Sequence, residues 1–450
     1  MIALVAAAPG AEAETIGGAL AKAYLGNPDI NQQRAAVRVS DENIPRANAG
    51  FLPTVSAEAD VGVSNIQSSG LGLGTLPTNI TDAPRGYGLT VQETLWNGNR
   101  TINSVRQAES GVLGAREQLR NTEQNVLLNA VTAYMDVMRD SAILDLDRNN
   151  VEVLQEQLRQ TQDRFNVGEV TRTDVAQAEA SLAGARATAL TAESTLQASV
   201  ARYRQVIGED PKRLSPVAPI VKPIPKTLPL AIGVSQVEHP AITAMLHGVD
   251  AAALAIKIAE GQLYPTVGLT GSISKRFDVA GEASGSQVLT GTVLTQITVP
   301  IYEGGAVYAA TRQAKEQLGQ QELQTDLQRD LVRSAVVAAW GLNQNSLGIL
   351  RAAQAQVEAA EVALAGVREE AKVGQRTTLD VLNQQQTLLN ARVQLVIAQH
   401  DQVVNSYSLL SAVGRLSIGT LGLAVAEYDP RVHFDQVKNK WIGLRTPDGR

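Results

Sequence analysis

The chain has 450 residues and a formal charge of −6, with no cysteine, 44% hydrophobic residues and only 4% aromatic ones. The missing cysteine excludes disulfides, thiolate metal sites and thiol catalysis, and the mild charge without a basic stripe argues against a nucleic-acid partner. So few rings leave a compact globule short of bulky fillers, whereas abundant Ala, Gln, Leu, Val and Glu suit long helices packed through small side chains.

Residues 1–14 read as the remnant of a secretory signal, ending near the A-x-A motif Ala11-Glu12-Ala13, or as a disordered N-terminus. The first repeat is expected over 15–208. It begins with a helix over roughly 15–49, followed by strands at about 52–65 and 86–96. In 54–64 Val55, Ala57, Ala59, Val61 and Val63 alternate with Thr54, Ser56, Glu58, Asp60, Gly62 and Ser64. From Tyr87, the positions Leu89, Val91 and Leu95 alternate with Thr90, Gln92 and Thr94. One greasy and one polar face could form half of a soluble sandwich. About nine residues is also the length that crosses a bilayer at a tilt. Loops rich in Gly, Ser and Thr at 65–84 and 278–287 join the strand pairs. No proline interrupts Pro84 to Pro211, which permits a long helix over 98–163, a tip turn at 164–171 and a helix over 171–208. The segment 209–236 carries six of the 17 prolines and reads as a linker.

The second repeat, 237–414, says the same thing again. Asn27-Pro28 and Leu52-Pro53 recur as His239-Pro240 and Tyr264-Pro265, both 212 residues on. Leu95-Trp96-Asn97-Gly98 recurs as Ile301-Tyr302-Glu303-Gly304, Val167-Gly168 as Val373-Gly374 and Asp174 as Asp380, all 206 residues on. A constant offset over so long a stretch means two copies of one structural unit. Copy two therefore has a helix over 237–262, strands at about 265–276 and 288–301, a long helix over 304–371, a tip turn at 372–376 and a helix over 376–414. In the last helix Leu382, Leu389, Val396, Val403 and Leu410 fall seven apart, a seam that must pack on another helix. The tail, 415–450, is expected to be equatorial or disordered. No run of 18 apolar residues occurs, so no membrane-spanning helix is expected.

Residues 98–163 and 304–371 would each form a helix of about 100 Å, and the flanking helices are about half as long. The short helices should meet end to end beside the long ones, with linker and tail as a belt. Four strands cannot close a barrel, and open edges are not tolerated in lipid. Several chains must then share one barrel.

The turns Arg164-Phe165-Asn166-Val167-Gly168 through Thr173-Asp174-Val175, and Lys372-Val373-Gly374-Gln375-Arg376 through Asp380-Val381-Leu382, resemble the two periplasmic tips of the TolC outer-membrane channel-tunnels. With the duplication, strand pairs and linker, the resemblance covers about residues 15–415. It implies an α+β membrane protein: a homotrimer with a 12-stranded β-barrel, four strands per chain, continued by a long α-helical coiled-coil barrel through the periplasm of a Gram-negative cell. It implies outer membrane lipid around the barrel, no cofactor, a periplasmic adaptor (membrane fusion protein), and an inner-membrane transporter, ABC or proton-driven, that supplies the energy.

The resemblance also carries site residues over. Closure of the tip would rest on a latch between Arg376 and the pair Thr173 and Asp174. Asp380, with Asn383 nearby, would form a cation-selective ring on a shared axis. Val167, Gly168, Val373 and Gly374 would dock the adaptor, beside the plainer reading that each Gly caps a helix. The family's tyrosine before the second Val-Gly is Ala371 here, and a second acidic position is Asn383, which implies a looser closed state and a weaker cation site.

The histidines His239, His247, His400 and His433 lack metal-ligand spacing, and no phosphate loop or Ser-His-Asp arrangement stands out. Glu93 interrupts an apolar strand face and reads as a rim charge. Phe51, Trp96 and Tyr302 sit at strand–helix junctions, as interfacial aromatics do. The expected function is a passive exit duct for type I protein secretion, for which the tail carries a cue, or alternatively for multidrug or small-molecule efflux. A periplasmic coiled-coil adaptor or scaffold is the reading from another class; an enzyme is not expected.

Overall fold

The computed structural model describes residues 13–68, 78–220, 222, 224–279 and 285–449. Ala11 and Glu12 of the A-x-A motif, with most of the expected signal remnant, lie outside the described residues, as do parts of both loops. In chain order the elements are α1 (Ile16–Gly26), α2 (Pro28–Asp41), α3 (Asn43–Asn48), β1 (Thr54–Val61), β2 (Ser64–Ser68), β3 (Thr78–Asp82), β4 (Arg85–Trp96), α4 (Arg100–Asn166) and α5 (Arg172–Ile207). Then come α6 (Leu228–Glu238), α7 (Pro240–Glu260), β5 (Thr266–Phe277), β6 (Gln287–Thr298), α8 (Ala306–Lys372), α9 (Thr378–Ala412), α10 (Ile418–Leu421) and α11 (Arg431–Val437). The chain divides into two compact units. The first comprises Met1–Ala35, Arg116–Ala244 and Asp326–Tyr428, and the second Ala36–Ala115, Met245–Thr325 and Asp429–Arg450.

In the second unit β1, β4, β5 and β6 form one antiparallel sheet in that order. Pairing of Ala57 with Leu89 and of Leu89 with Ile273 gathers the alternating apolar residues of three strands on one face. Leu289, Val293 and Ile297 of β6 pair with Lys275, Gly271 and Val267 and extend that face. Glu93, opposite Leu269, and Lys275, opposite Tyr87, are charged positions on that face, and the pairing itself shifts once. A register shift between Thr94 and Trp96 sets Trp96, not Leu95, opposite Val267, because a bulge inserts one residue and reverses the phase. Sequence alternation also gave no sign of the short hairpin β2–β3, which pairs Asn65 with Thr81 inside the expected loop. Among the described residues, strands β1 and β6 each have one neighbour, so both edges of the sheet are open there.

The two 67-residue helices α4 and α8 each have a contour of about 100 Å at 1.5 Å per residue. In the first unit the expected seam of α9 is buried at Leu382, Leu389, Val403 and Leu410. Leu382 packs with Leu154 of α4 and Leu182 of α5. Leu409 and Val413 pack with Val332 and Val336 of α8 and Ile242 of α7. Each such fully buried aliphatic side chain contributes about 1.5–3 kcal/mol.

The proline-rich linker is shorter than expected, since α6 begins at Leu228 with Pro229 in its first turn, where proline costs no hydrogen bond. Part of the remainder is bonded to the helices. Glu14 and Leu214 form a parallel bridge, and the buried Tyr134 hydroxyl lies 2.7 Å from Glu14 O and 2.8 Å from Ser215 O. Ile220 N donates to Ser406 Oγ at 3.1 Å. The tail is not featureless, for it contains α10 and α11.

One helical stretch, Leu228–Leu263, has the length and hydropathy of a membrane span, against the expectation drawn from the lack of a long apolar run. It is broken at His239-Pro240, and α7 makes polar contacts, as where Gln107 Nε2 donates to Ala251 O at 3.1 Å. The break repeats the one at Asn27-Pro28, with one difference. Asn27 Oδ1 accepts from Asp29 N at 2.8 Å, whereas His239 Nδ1 accepts from Ala241 N at 3.2 Å. That bond needs an unprotonated Nδ1, and burial lowers the His239 pKa to about 4. The unfolded chain takes up this proton below pH 6.5 or so, the folded chain only near pH 4. Stability from this residue is therefore complete above the ordinary histidine pKa and is lost as pH falls through the depressed one. His239→Asn keeps an acceptor and should remove on the order of 2 kcal/mol of acid lability. Melting curves of both proteins at neutral and mildly acidic pH check this, and an unchanged gap between them refutes it.

Candidate functional site: the paired helical tips

At the first tip α4 ends at Asn166, and Gly168 adopts φ +78. Gly168 N then donates to Phe165 O at 3.0 Å and Glu169 N to Arg164 O at 2.9 Å. The second tip repeats it: Gly374 has φ +80, Gly374 N reaches Ala371 O at 3.2 Å and Gln375 N reaches Glu370 O at 2.9 Å. These are left-handed C-caps, a conformation glycine adopts without steric cost. Capping alone does not account for the preceding valines, Val167 and Val373, which are 72% and 70% exposed.

Each following helix opens with a capping box. Asp174 Oδ2 accepts from Thr171 N at 2.9 Å and from its hydroxyl at 2.7 Å, and Asp174 N donates back to Thr171 Oγ1. Asp380 and Thr377 do the same at 3.0 and 2.9 Å. Hydrogen bonds from the Thr171 side chain and backbone hold the Asp174 pKa below its usual range. Those from the Thr377 backbone and side chain do likewise for Asp380. Both carboxylates are therefore ionised at neutral pH. Asn383 is exposed on the next turn of α9, and Thr173 is exposed in the first turn of α5.

The tips differ in their ion pairs. At the first, Arg164 Nε bonds Glu169 at 3.0 Å; at the second, Arg376 Nε bonds Glu370 at 2.8 Å. The expected contact of Arg376 with Thr173 and Asp174 is not formed within the chain. Glu370 lies in the same turn and takes the guanidinium, while the Asp174 carboxylate is engaged by its own cap. Asp174, Arg376, Arg164, Glu156, Arg368 and Lys372 nevertheless line one open cavity of about 1060 Å³.

A second charged cluster lies within the first unit, where sequence spacing gave no signal. His400 Nε2 of α9 is 3.1 Å from Asp136 Oδ1 of α4, and its Nδ1 is 2.8 Å from Asp401. Arg139 pairs with Asp136 at 2.8 Å and Asp140 at 2.7 Å, and Arg202 of α5 reaches Asp136 at 3.9 Å. Burial pulls the His400 pKa down, but the bonds to Asp136 and Asp401 outweigh it and raise the pKa above the ordinary value. Among the described residues no group of His, Asp and Glu is arranged to hold a metal.

The family model for outer membrane efflux proteins matches residues 19–209 and 231–415, one match for each repeat. Outer membrane efflux protein BepC of Brucella suis is 41% identical over 437 residues, covering 97% of this chain and 93% of its own. Alkaline protease secretion protein AprF of Pseudomonas aeruginosa is 24% identical over 346 residues, covering 76% and 72%. The fold matches the crystal structure of the Campylobacter jejuni CmeC outer membrane channel with a TM-score of 0.78 at 16% identity, over 95% of this chain and 90% of that one.

Proposed function

The chain belongs to the outer membrane efflux protein family, the TolC-type channel-tunnels, and from that premise we propose that three copies form an exit duct fed by a periplasmic adaptor and an inner-membrane transporter. It is an outer-membrane channel protein and not an enzyme. The observation that carries a barrel shared between chains is the four-stranded sheet with one apolar face and two open edges, since an edge in lipid must find a strand; the number three rests on the family. Three copies bring twelve strands to one barrel. The exposed Val167 and Val373 supply small apolar knobs for the adaptor. Small-molecule efflux is the cargo reading supported by the 41% likeness to BepC, named as an efflux protein. Type I protein secretion is the second reading, supported by the likeness to AprF, named for protease secretion.

Gating follows from the charges of the tips. Arg376 is an exchangeable latch: bound to Glu370 in its own turn, it moves to Thr173 and Asp174 when the tips draw together. Exposed pairs are worth about 0–1 kcal/mol, so exchanging one for another costs little. Asp380 forms the ring that favours cations. In planar bilayers Arg376→Ala should raise single-channel conductance severalfold, whereas Glu370→Gln should lower the open fraction by freeing Arg376 for the latch. Asp380→Asn should reduce cation preference. Identical currents from wild type, Arg376→Ala and Glu370→Gln would discard the latch, and silence from well-inserted protein would discard the duct.

A further inference from the structure

The tail carries an apolar cluster with no part in the duct so far. Trp441, Ile442 and Leu444 are 77%, 74% and 103% exposed, and Lys438, Lys440 and Arg445 flank them. Lone exposed hydrophobes need no explanation, but three within four residues, ringed by cations, call for a partner. Lys440 Nζ bonds the Arg445 carbonyl, and Gly443 takes φ +109. Residues 440–445 are thereby closed into a loop with the apolar side chains upon it.

The course of α11 locates this loop. His433 Nδ1 is 2.9 Å from Asp41 Oδ2, and Asn48 Nδ2 donates to Lys438 O at 3.4 Å. As the tail advances from His433 to Lys438, its partners advance from Asp41 to Asn48. The tail thus runs alongside the segment that enters β1 at Thr54 and leaves α11 heading toward the helix-side end of the sheet. From Lys438 to Leu444 the backbone spans at most about 20 Å. Phe51, Trp96, Tyr264 and Tyr302, all exposed, mark that same end of the strands, where aromatic side chains sit at a bilayer interface.

We propose that the loop from Trp441 to Leu444 is a peripheral membrane anchor, inserting into the periplasmic leaflet beside the barrel. The apolar side chains enter the boundary between headgroups and acyl chains, about 5–10 Å deep, while Lys440 and Arg445, together with Lys438, whose ammonium is shared with Asp435 at 2.7 Å, bind anionic phospholipid headgroups. The surface continues the barrel's own lipid contact, and its charge is complementary to such headgroups. An isolated loop of this size binds weakly; the barrel holds it at the surface and makes its insertion intramolecular.

The cysteine-free sequence permits a direct test on the full-length protein. Ile442→Cys is labelled with a polarity-sensitive fluorophore and reconstituted into phosphatidylcholine vesicles containing phosphatidylglycerol, some lipids carrying a nitroxide near the top of the acyl chain. Emission should shift to the blue and be quenched roughly twofold, whereas the same label at the exposed Val432 of α11 should stay water-like. Replacing Lys438, Lys440 and Arg445 by Gln should remove the dependence on phosphatidylglycerol. Water-like, unquenched emission at position 442 would overturn the anchor. A blue-shifted label that no nitroxide quenches would overturn it too, placing the loop against a second copy of the chain. Quenching that ignores the three Gln substitutions would overturn the headgroup assignment.

Discussion

Gly98→Val should leave almost no assembled channel in the outer membrane. Gly98 lies between β4 and α4 with φ +66, and a Cβ there would sit 2.3 Å from Gly261 O and 2.9 Å from Tyr264 Cβ. The obstacle at Gly261 is backbone and cannot swing aside. The contact is reciprocal, for a Cβ on Gly261 would meet Gly98 O at 2.8 Å. Two glycines thus let the strand–helix corner of one repeat lie flat on the turn that enters β5 of the other. A left-handed backbone costs a substituted residue about 1–2 kcal/mol, and forcing these backbones apart brings the loss to roughly 4 kcal/mol or more. The repeat supplies the control. Gly304 holds the equivalent place with φ +65 but has nothing within 4 Å of its Cβ position, so Gly304→Ala should lose only the conformational part. Heat-modifiable migration of outer-membrane fractions would compare the two. Equal yields would show that the close approach to Gly261 does not matter.

Asp136→Ala should cost about 3–5 kcal/mol, the range for removing one partner of a buried charge network. Asp136 is 8% exposed and His400 7%. Without this carboxylate a buried imidazole and Arg139 lose their shared acceptor. Burial raises the Asp136 pKa, but the His400 hydrogen bond and the Arg139 charge outweigh that and hold it below its usual value. The depressed acid contributes stability above the ordinary aspartate pKa and loses it as pH falls through the depressed one. The raised histidine contributes below its ordinary pKa and loses that as pH climbs through the raised one. The network is therefore strongest at mildly acidic pH, and the gap between wild type and Asp136→Ala should narrow at both extremes. Denaturant unfolding followed by helical circular dichroism measures it, and a loss below about 1 kcal/mol would place the pair among surface bridges.

Much of the architecture was legible in the sequence because its cues are local. The glycines at 168 and 374 mark turns, proline-free stretches leave room for α4 and α8, and alternation writes out β1, β4, β5 and β6. What escaped depends on phase or distance. The bulge at Trp96 changes phase without changing composition. Helix α6 was hidden because Pro229 reads as linker when its first-turn position is unknown. Residues Asp136 and His400 stand 264 apart in sequence, and no spacing rule links them. The family motif pointed Arg376 toward Asp174, but Glu370, six residues away, reaches it first. Nothing in the motif said that Asp174 and Asp380 already hold the ends of their helices.

The open edges of β1 and β6 also bear on kinetics. A strand edge without a neighbour cannot wait in hydrocarbon, so a single copy has no stable inserted state from which to recruit others. In the proposed assembly, encounter between copies then precedes or accompanies insertion. The rate at which channels appear will rise with more than the first power of chain supply, and halving synthesis will slow assembly by more than half. In the proposed trimer a defective copy acts at this same step: taken into a ring, it wastes its sound companions, so a minority of damaged chains suppresses a majority of channels.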